Sequence, residues 1–258
     1  MRKIIGSNAP ICFQGEEGTG KEALAKLIHG LRRNSPNGFC AIDGESTTEN
    51  SLREALLTLN GKDHDRSTAA PQNGQRVSFY TTLFVRRVDA LQDGLQEQLL
   101  ELIQRKIRSI PGCGETLRSI RLITATGSDL ATAVRRKKFR QDLYYRLTTY
   151  HFQLPPLRER NDDIPFYIAH FAQAWRDQHG SPEMDFSAEA LAELKQHDWP
   201  GNLDELNCVV TQSLQQNGRK ENRVTKLAWQ SVPALFAKST EVTPLNTASG
   251  STEIPAML

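Results

Sequence analysis

The residues with the clearest chemical intent are Gly15, Gly20 and Lys21, which stand at the spacing G-x-x-x-x-G-K. Glycines at such positions let successive backbone N–H groups turn inward as a nest for phosphate oxygens. A helix that starts directly afterwards points its positive end at the same place. Lys21 then adds a full charge near the outer phosphates. The candidate phosphate-binding set is therefore Gly15, Glu16, Glu17, Gly18, Thr19, Gly20, Lys21 and Glu22. Glu22 stands where Ser or Thr usually gives a hydroxyl to magnesium. A glycine turn beside an unrelated lysine is the plainer reading, but an apolar strand before and a helical pattern after favour nucleotide binding.

Those residues need a frame. Ile11-Cys12-Phe13 reads as the strand that enters the turn, and 22–31 as the helix that leaves it, ending in the breaker cluster Asn34-Ser35-Pro36-Asn37-Gly38. Phe39–Asp43, Thr81–Val85, Ile120–Thr126 and Tyr150–Leu154 read as further strands. Helices fit 49–59 and the amphipathic stretch Leu91–Ile107. Alternating strands and helices predict an α/β fold with a mainly parallel sheet sandwiched by helices. Residues 60–75 read as a polar, flexible insertion. Arg135–Arg140 is the most basic run, and reads as a solvated loop. After Pro165 the pattern turns helical at 165–179, 187–196 and 201–216, which predicts a small helical domain. The expected division is 1–160, 161–236 and a tail or linker at 237–258.

Bulk properties limit the function classes. With 258 residues, a net charge of +2 excludes general affinity for nucleic acid through this segment. Cys12, Cys40, Cys113 and Cys208 form no C-x-x-C pair and predict neither a zinc centre nor a disulfide framework. No apolar stretch reaches membrane-spanning length. The expectation is a soluble cytoplasmic protein without membrane contact.

Four stretches in order carry a family resemblance: Gly15–Glu22, Phe139-Arg140-Gln141-Asp142-Leu143-Tyr144-Tyr145-Arg146-Leu147, Leu154-Pro155-Pro156-Leu157-Arg158-Glu159-Arg160 and Trp199-Pro200-Gly201-Asn202. Over roughly residues 4–235 the chain resembles the AAA+ domain of bacterial enhancer-binding (NtrC-like) transcription regulators, which work with sigma-N RNA polymerase. Glu22 itself matches that family. The resemblance implies an AAA+ P-loop sheet followed by a helical lid, and ATP or ADP held between subunits of a homo-oligomer, dimer or hexameric ring. It also implies RNA polymerase as a partner and DNA contacted by a domain beyond this segment, with the 237–258 tail resembling the linker to it. By position, Arg140 and Arg146 resemble arginine fingers that reach a neighbour's γ-phosphate. An ordinary ion pair at a helix end remains the alternative for both.

The same resemblance exposes what is missing. Where the family ends its third strand in two acids, for magnesium and for the attacking water, this chain has Arg86 and Arg87. Asp43 replaces the steering asparagine of the second strand, Gly127 the sensor asparagine, and Asp204 the sensor arginine. The loop that contacts sigma-N falls at residues 62–67, without its glycine–phenylalanine character. A lost carboxylate base removes about two to four powers of ten in rate. Efficient hydrolysis, sigma-N coupling and firm magnesium binding are therefore not expected. Arg86 is expected near the phosphate loop, supplying charge in place of the metal and pairing with Glu22 when the pocket is empty. The reading is a regulatory nucleotide-binding domain that controls oligomerisation and DNA-dependent transcription. A slow ATPase with a shared site, using Asp43 or Asp89 as a poor base, is the alternative. Family members without the sigma-N loop, including regulators of exopolysaccharide and biofilm formation, respond to cyclic di-GMP. Their known site needs an arginine–asparagine pair where this chain has Lys26 and Leu27. The basic run Arg135–Arg140 is the remaining place for that ligand.

Overall fold

Continuous apolar runs, rather than alternating ones, belong in a parallel sheet covered on both faces. A computed structural model, describing residues 6–31, 38–61, 80–104, 119–180, 185–217, 223–224 and 227–228, places them there. Ile11–Gln14 (β1), Phe39–Asp43 (β2), Tyr80–Arg86 (β3), Ser119–Thr126 (β4) and Tyr150–Gln153 (β5) pair in the order β2-β3-β4-β1-β5, every pair parallel. β1 is flanked by β4 and β5, so the loop leaving its carboxyl end opens into the crevice where parallel sheets take ligands.

Side chains on a strand alternate between faces. Ile11, Phe13, Phe84, Ile123 and Ala125 pack with Ala25 of helix α1 (Lys21–Gly30) on one side of the sheet. Cys12, Leu83, Val85 and Leu122 pack on the other with α2 (Glu49–Gly61) and α3 (Asp93–Gln104), through Leu52, Leu95 and Leu99. The same core takes in Leu130 of α4 (Leu130–Arg135) and Leu143 and Leu147 of α5 (Gln141–Leu147). A separate core gathers α6 (Ile164–His179), α7 (Ala188–Gln196) and α8 (Asn202–Asn217) around fully buried Trp199. Trp199 Nε1 donates to Leu194 O at 2.9 Å, which satisfies the one polar atom of that ring. Leu157, on the 3-10 turn Leu157–Glu159, joins this lid core.

The structure differs from the sequence reading in several places. The basic run is not simply a solvated loop: Arg135 closes α4, and Phe139 is buried in the main core. Two short helices, α4 and α5, flank the run, where local periodicity was too brief to register. Asp185–Phe186 (β6) and Arg223–Val224 (β7) form a small parallel pair in the lid, stretches of two residues each that no alternation rule detects. The amphipathic helix begins at Asp93 rather than Leu91, because a 3-10 turn at Val88–Ala90 precedes it. Asn60 and Gly61, read as the start of the polar insertion, close α2 instead; the rest of the insertion, the sigma-N loop position and the tail lie outside the described residues.

Candidate functional site

The phosphate loop runs from the end of β1 into α1 with Gly18 at φ 73° and Gly20 at φ 91°, conformations that L side chains resist. Gly20 precedes α1, and no side chain caps that end. Its first N–H groups are left facing the crevice, the arrangement that suits an anion. Thr19 Oγ1 donates to Glu16 O at 2.8 Å and braces the turn. Lys21 Nζ donates to Gly15 O at 2.7 Å and to Glu16 O, so the ammonium is folded back into its own loop. Burial pushes the Lys21 pKa down, opposed by the Glu17 and Asp204 carboxylates. Of the stretch Gly15–Glu22, residues Glu17, Gly18, Gly20, Lys21 and Glu22 line the cavity, and Gly15, Glu16 and Thr19 brace the turn.

One wall of the loop is the lid. Asn202 is buried at φ 53°; its Oδ1 accepts from Leu157 N at 2.7 Å and its Nδ2 donates to Glu17 O at 2.8 Å. Leu203 N donates to Gly18 O at 2.9 Å. Gly18 lies so close to the lid that a Cβ there would sit 2.2 Å from Gly201 O. Arg158 grips Glu16 with two bonds of 2.8 and 2.6 Å, and Arg160 Nη2 donates to Thr19 O at 3.1 Å. The Arg158 guanidinium holds the Glu16 carboxyl below the usual carboxylate range, against a smaller upward effect of burial. Sequence reasoning did not assign Arg158, Arg160 or Asn202 to the site, although they stand in two of the four stretches it singled out.

The opposite wall is the carboxyl end of β2 and β3. Register sets Asp43 beside Arg86. Arg86 Nη1 lies 3.3 Å from Glu22 Oε2, and its Nε 3.9 Å from Asp43 Oδ2. Arg87, at φ 47°, turns back to Asp43 at 2.7 Å and also pairs with Glu45. Burial acts to raise the Asp43 carboxyl, yet the Arg87 hydrogen bond brings it below the usual range. Lys26 Nζ holds the other oxygen of Glu22 at 2.9 Å. Asp89 accepts from Thr126 Oγ1 at 2.8 Å and Ser128 Oγ at 2.7 Å, so its two oxygens serve the end of β4.

Between the walls is a cavity of about 530 Å³. Lys21, Lys26, Arg86 and Arg87 line it together with Glu17, Glu22, Asp43 and Asp204, four cations against four carboxylates. Burial raises the Asp204 carboxyl, with Lys21 pulling down and Glu17 and Glu22 adding to the rise. The residues present do not fit the magnesium ion that the resemblance implies. Glu22 and Asp43, the carboxylates nearest the third-strand end, are already held by guanidinium groups.

Arg140 and Arg146 are not among the residues lining this cavity. Arg140 begins α5, its backbone N–H accepted by Gln96 Oε1 at 2.8 Å and its side chain paired with Asp142 at 3.0 Å. Buried Gln96 donates in turn to Leu91 O at 2.8 Å and Lys138 O at 3.2 Å, anchoring the turn that presents Arg140. Arg146 is exposed in the last turn of α5. Leu27, beside Lys26 on the first helix, is 56% exposed.

The sequence pattern of the sigma-54 interaction domain matches residues 1–153, and that of the AAA+ ATPase lid domain matches residues 158–241. The chain belongs to the sigma-54 interaction domain family. It is 32% identical over 216 residues to the C4-dicarboxylate transport transcriptional regulatory protein DctD of Pseudomonas aeruginosa, covering 80% of this chain and 46% of that one. With the transcriptional regulatory protein ZraR of Escherichia coli K12 it shares 30% over 250 residues, 94% of this chain and 56% of the relative. The chain thus spans about half the length of these relatives. NtrX from Brucella abortus in complex with ADP superposes with a TM-score of 0.70 at 23% identity, over 95% of this chain and 54% of that one. This sigma-54 interaction domain therefore has the AAA+ P-loop fold with its lid, as its motifs implied. Sigma-54 is the sigma-N of that expectation. Among the described residues no helix is long and apolar enough to cross a membrane.

Proposed function

We propose that this domain is a nucleotide switch inside a transcription regulator: it binds ATP or ADP to set its own oligomeric state and does not turn nucleotide over. The carrying observation is the contrast within one pocket. The cradle from Gly15 to Lys21 is complete, while the two positions that should present a metal ligand and a base hold Arg86 and Arg87, each engaged with a carboxylate. Asp43 and Asp89, the two alternative bases, are tied to Arg87 and to the Thr126 and Ser128 hydroxyls. A carboxylate lowered by an arginine is a weak proton acceptor.

Solved NtrX structures with ADP and with ATP support adenine nucleotide as the ligand class. Cyclic di-GMP is a weaker fit, because Lys26 is paired with Glu22 and Leu27 offers no hydrogen bond. In the assembled homo-oligomer Arg140 and Arg146 reach a neighbour's phosphates as charge sensors, DNA is held by a separate domain, and RNA polymerase is engaged without the sigma-54 loop, whose expected segment, residues 62–67, carries none of the needed residues. The protein then works in the cytoplasm.

Titration calorimetry and phosphate release, each against Lys21→Ala, test the reading. The expected result is measurable ATP and ADP binding that weakens at least about tenfold in the variant, the scale of one lost charged contact. Phosphate release should equal that of the variant. Release abolished by Lys21→Ala would instead make the domain a slow ATPase.

A further inference from the structure

In a pocket that binds a polyphosphate without metal, some protein cation must neutralise the charge that magnesium otherwise carries. The identity of that cation decides how the site responds to magnesium itself. Arg86 has the right position and the right partners. It ends β3, separated by β4 from the strand that leads into the phosphate loop, and its guanidinium reaches across to Glu22, the residue directly after Lys21. Its side chain is 49% exposed to the cavity and its contacts to Glu22 and Asp43, at 3.3 and 3.9 Å, are ion pairs without a close hydrogen bond. Arg87 differs: it holds Asp43 through three close contacts of 2.7 to 3.1 Å and is committed to that carboxylate. The loosely held arginine is the one beside the cradle.

We infer that this pocket takes its nucleotide as the metal-free anion, that Arg86 exchanges Glu22 for a phosphate oxygen on binding, and that magnesium opposes binding. The inference rests on the nucleotide-switch reading above and adds the ionic form of the ligand. Glu22 does not become an orphan in the exchange, because Lys26 already holds its other oxygen at 2.9 Å. A free nucleoside triphosphate brings about two more negative charges than its magnesium complex, and a guanidinium that can turn from Glu22 to phosphate gains more from the more highly charged form. A guanidinium also meets a phosphate through two parallel N–H donors, geometry that a hydrated magnesium ion in front of the same oxygens obstructs.

The test is calorimetric titration of the intact chain with ATP and with ADP, once in EDTA and once in excess magnesium chloride at matched ionic strength. ATP is expected to bind several-fold more tightly in EDTA. Arg86→Gln should weaken binding in EDTA at least about tenfold, Arg86→Lys should weaken it less, and Arg86→Asp should make what binding remains stronger with magnesium than without. Thermal unfolding of each variant confirms that it is folded; should Arg86→Asp fail to fold, Arg86→Gln and Arg86→Lys carry the test. Tighter binding in magnesium by the unaltered chain, or an Arg86→Gln variant indistinguishable from it in EDTA, overturns this inference and leaves the switch reading standing. No binding in either medium overturns both.

Discussion

The two walls of the phosphate loop hold it by different chemistry. At its buried centre the lid wall meets the loop through Leu203 N on Gly18 O and the amide of Asn202 between Leu157 and Glu17, with Arg158 on Glu16 and Arg160 on Thr19 O beside them. The strand wall meets it through the exposed ion pair of Arg86 with Glu22, while Arg87 pairs with Asp43 on the neighbouring strand. Buried neutral hydrogen bonds are costly to break because each leaves a desolvated partner, whereas exposed ion pairs are worth little and are easily rearranged. The lid wall therefore fixes the shape of the loop, and the strand wall sets what the pocket does with charge. Function could drift on one side without disturbing the fold on the other.

That contrast gives graded expectations. The largest effect should come from Gly18→Ala. A methyl group 2.2 Å from Gly201 O, at φ 73°, must push lid and loop apart. Urea unfolding should show a loss of about 3 kcal/mol, from strain and overpacking together, and nucleotide binding should fall with it. A loss under about 0.5 kcal/mol would mean that the lid wall is as adaptable as the strand wall.

Next comes Asp204, where the lid contributes charge to the cavity. Its carboxyl is raised by burial, and an incoming phosphate raises it further. Binding therefore takes up a proton. Affinity should be highest below the empty-pocket pKa, fall as pH rises towards the bound-state pKa, and level off above it. Comparing titrations of the unaltered chain and Asp204→Asn across that range should remove this limb, with a change of up to roughly tenfold for one pKa unit of coupling. A pH profile unchanged by Asp204→Asn would remove the carboxylate from the pocket's electrostatics.

The smallest effect is expected at Glu16 and Arg158, an exposed pair on the lid wall. Arg158→Ala should lower stability by less than about 1 kcal/mol. Because Arg158 depresses the Glu16 pKa, the pair's contribution is complete above the unfolded carboxylate pKa and is lost as pH falls through the lowered folded value. Acid titration of stability should therefore converge for the variant and the unaltered chain at the low end. A difference that persists in acid would point to packing by the arginine stem instead.

How much of this was readable beforehand divides along the same line. The loop, the strands and the resemblance were legible because glycine spacing and apolar runs are local signals. Arg86 beside Glu22 was also legible, since knowing that a strand ends next to the loop is enough to bring position 86 near position 22. The clasp of Asn202 on Glu17 was not, because it joins residues 185 apart and depends on how the lid docks. Nor was Gln96, whose polar side chain on an amphipathic helix reads as surface although it is fully buried. A buried amide announces itself only through its partners, which come from Leu91, Lys138 and Arg140.

Gln96 has one last implication. It grasps main-chain atoms alone, so the spot from which residue 140 projects is set by an uncharged fastening in a dry interior. Acidity and salt leave such a fastening untouched, and the side chain mounted there can be exchanged freely.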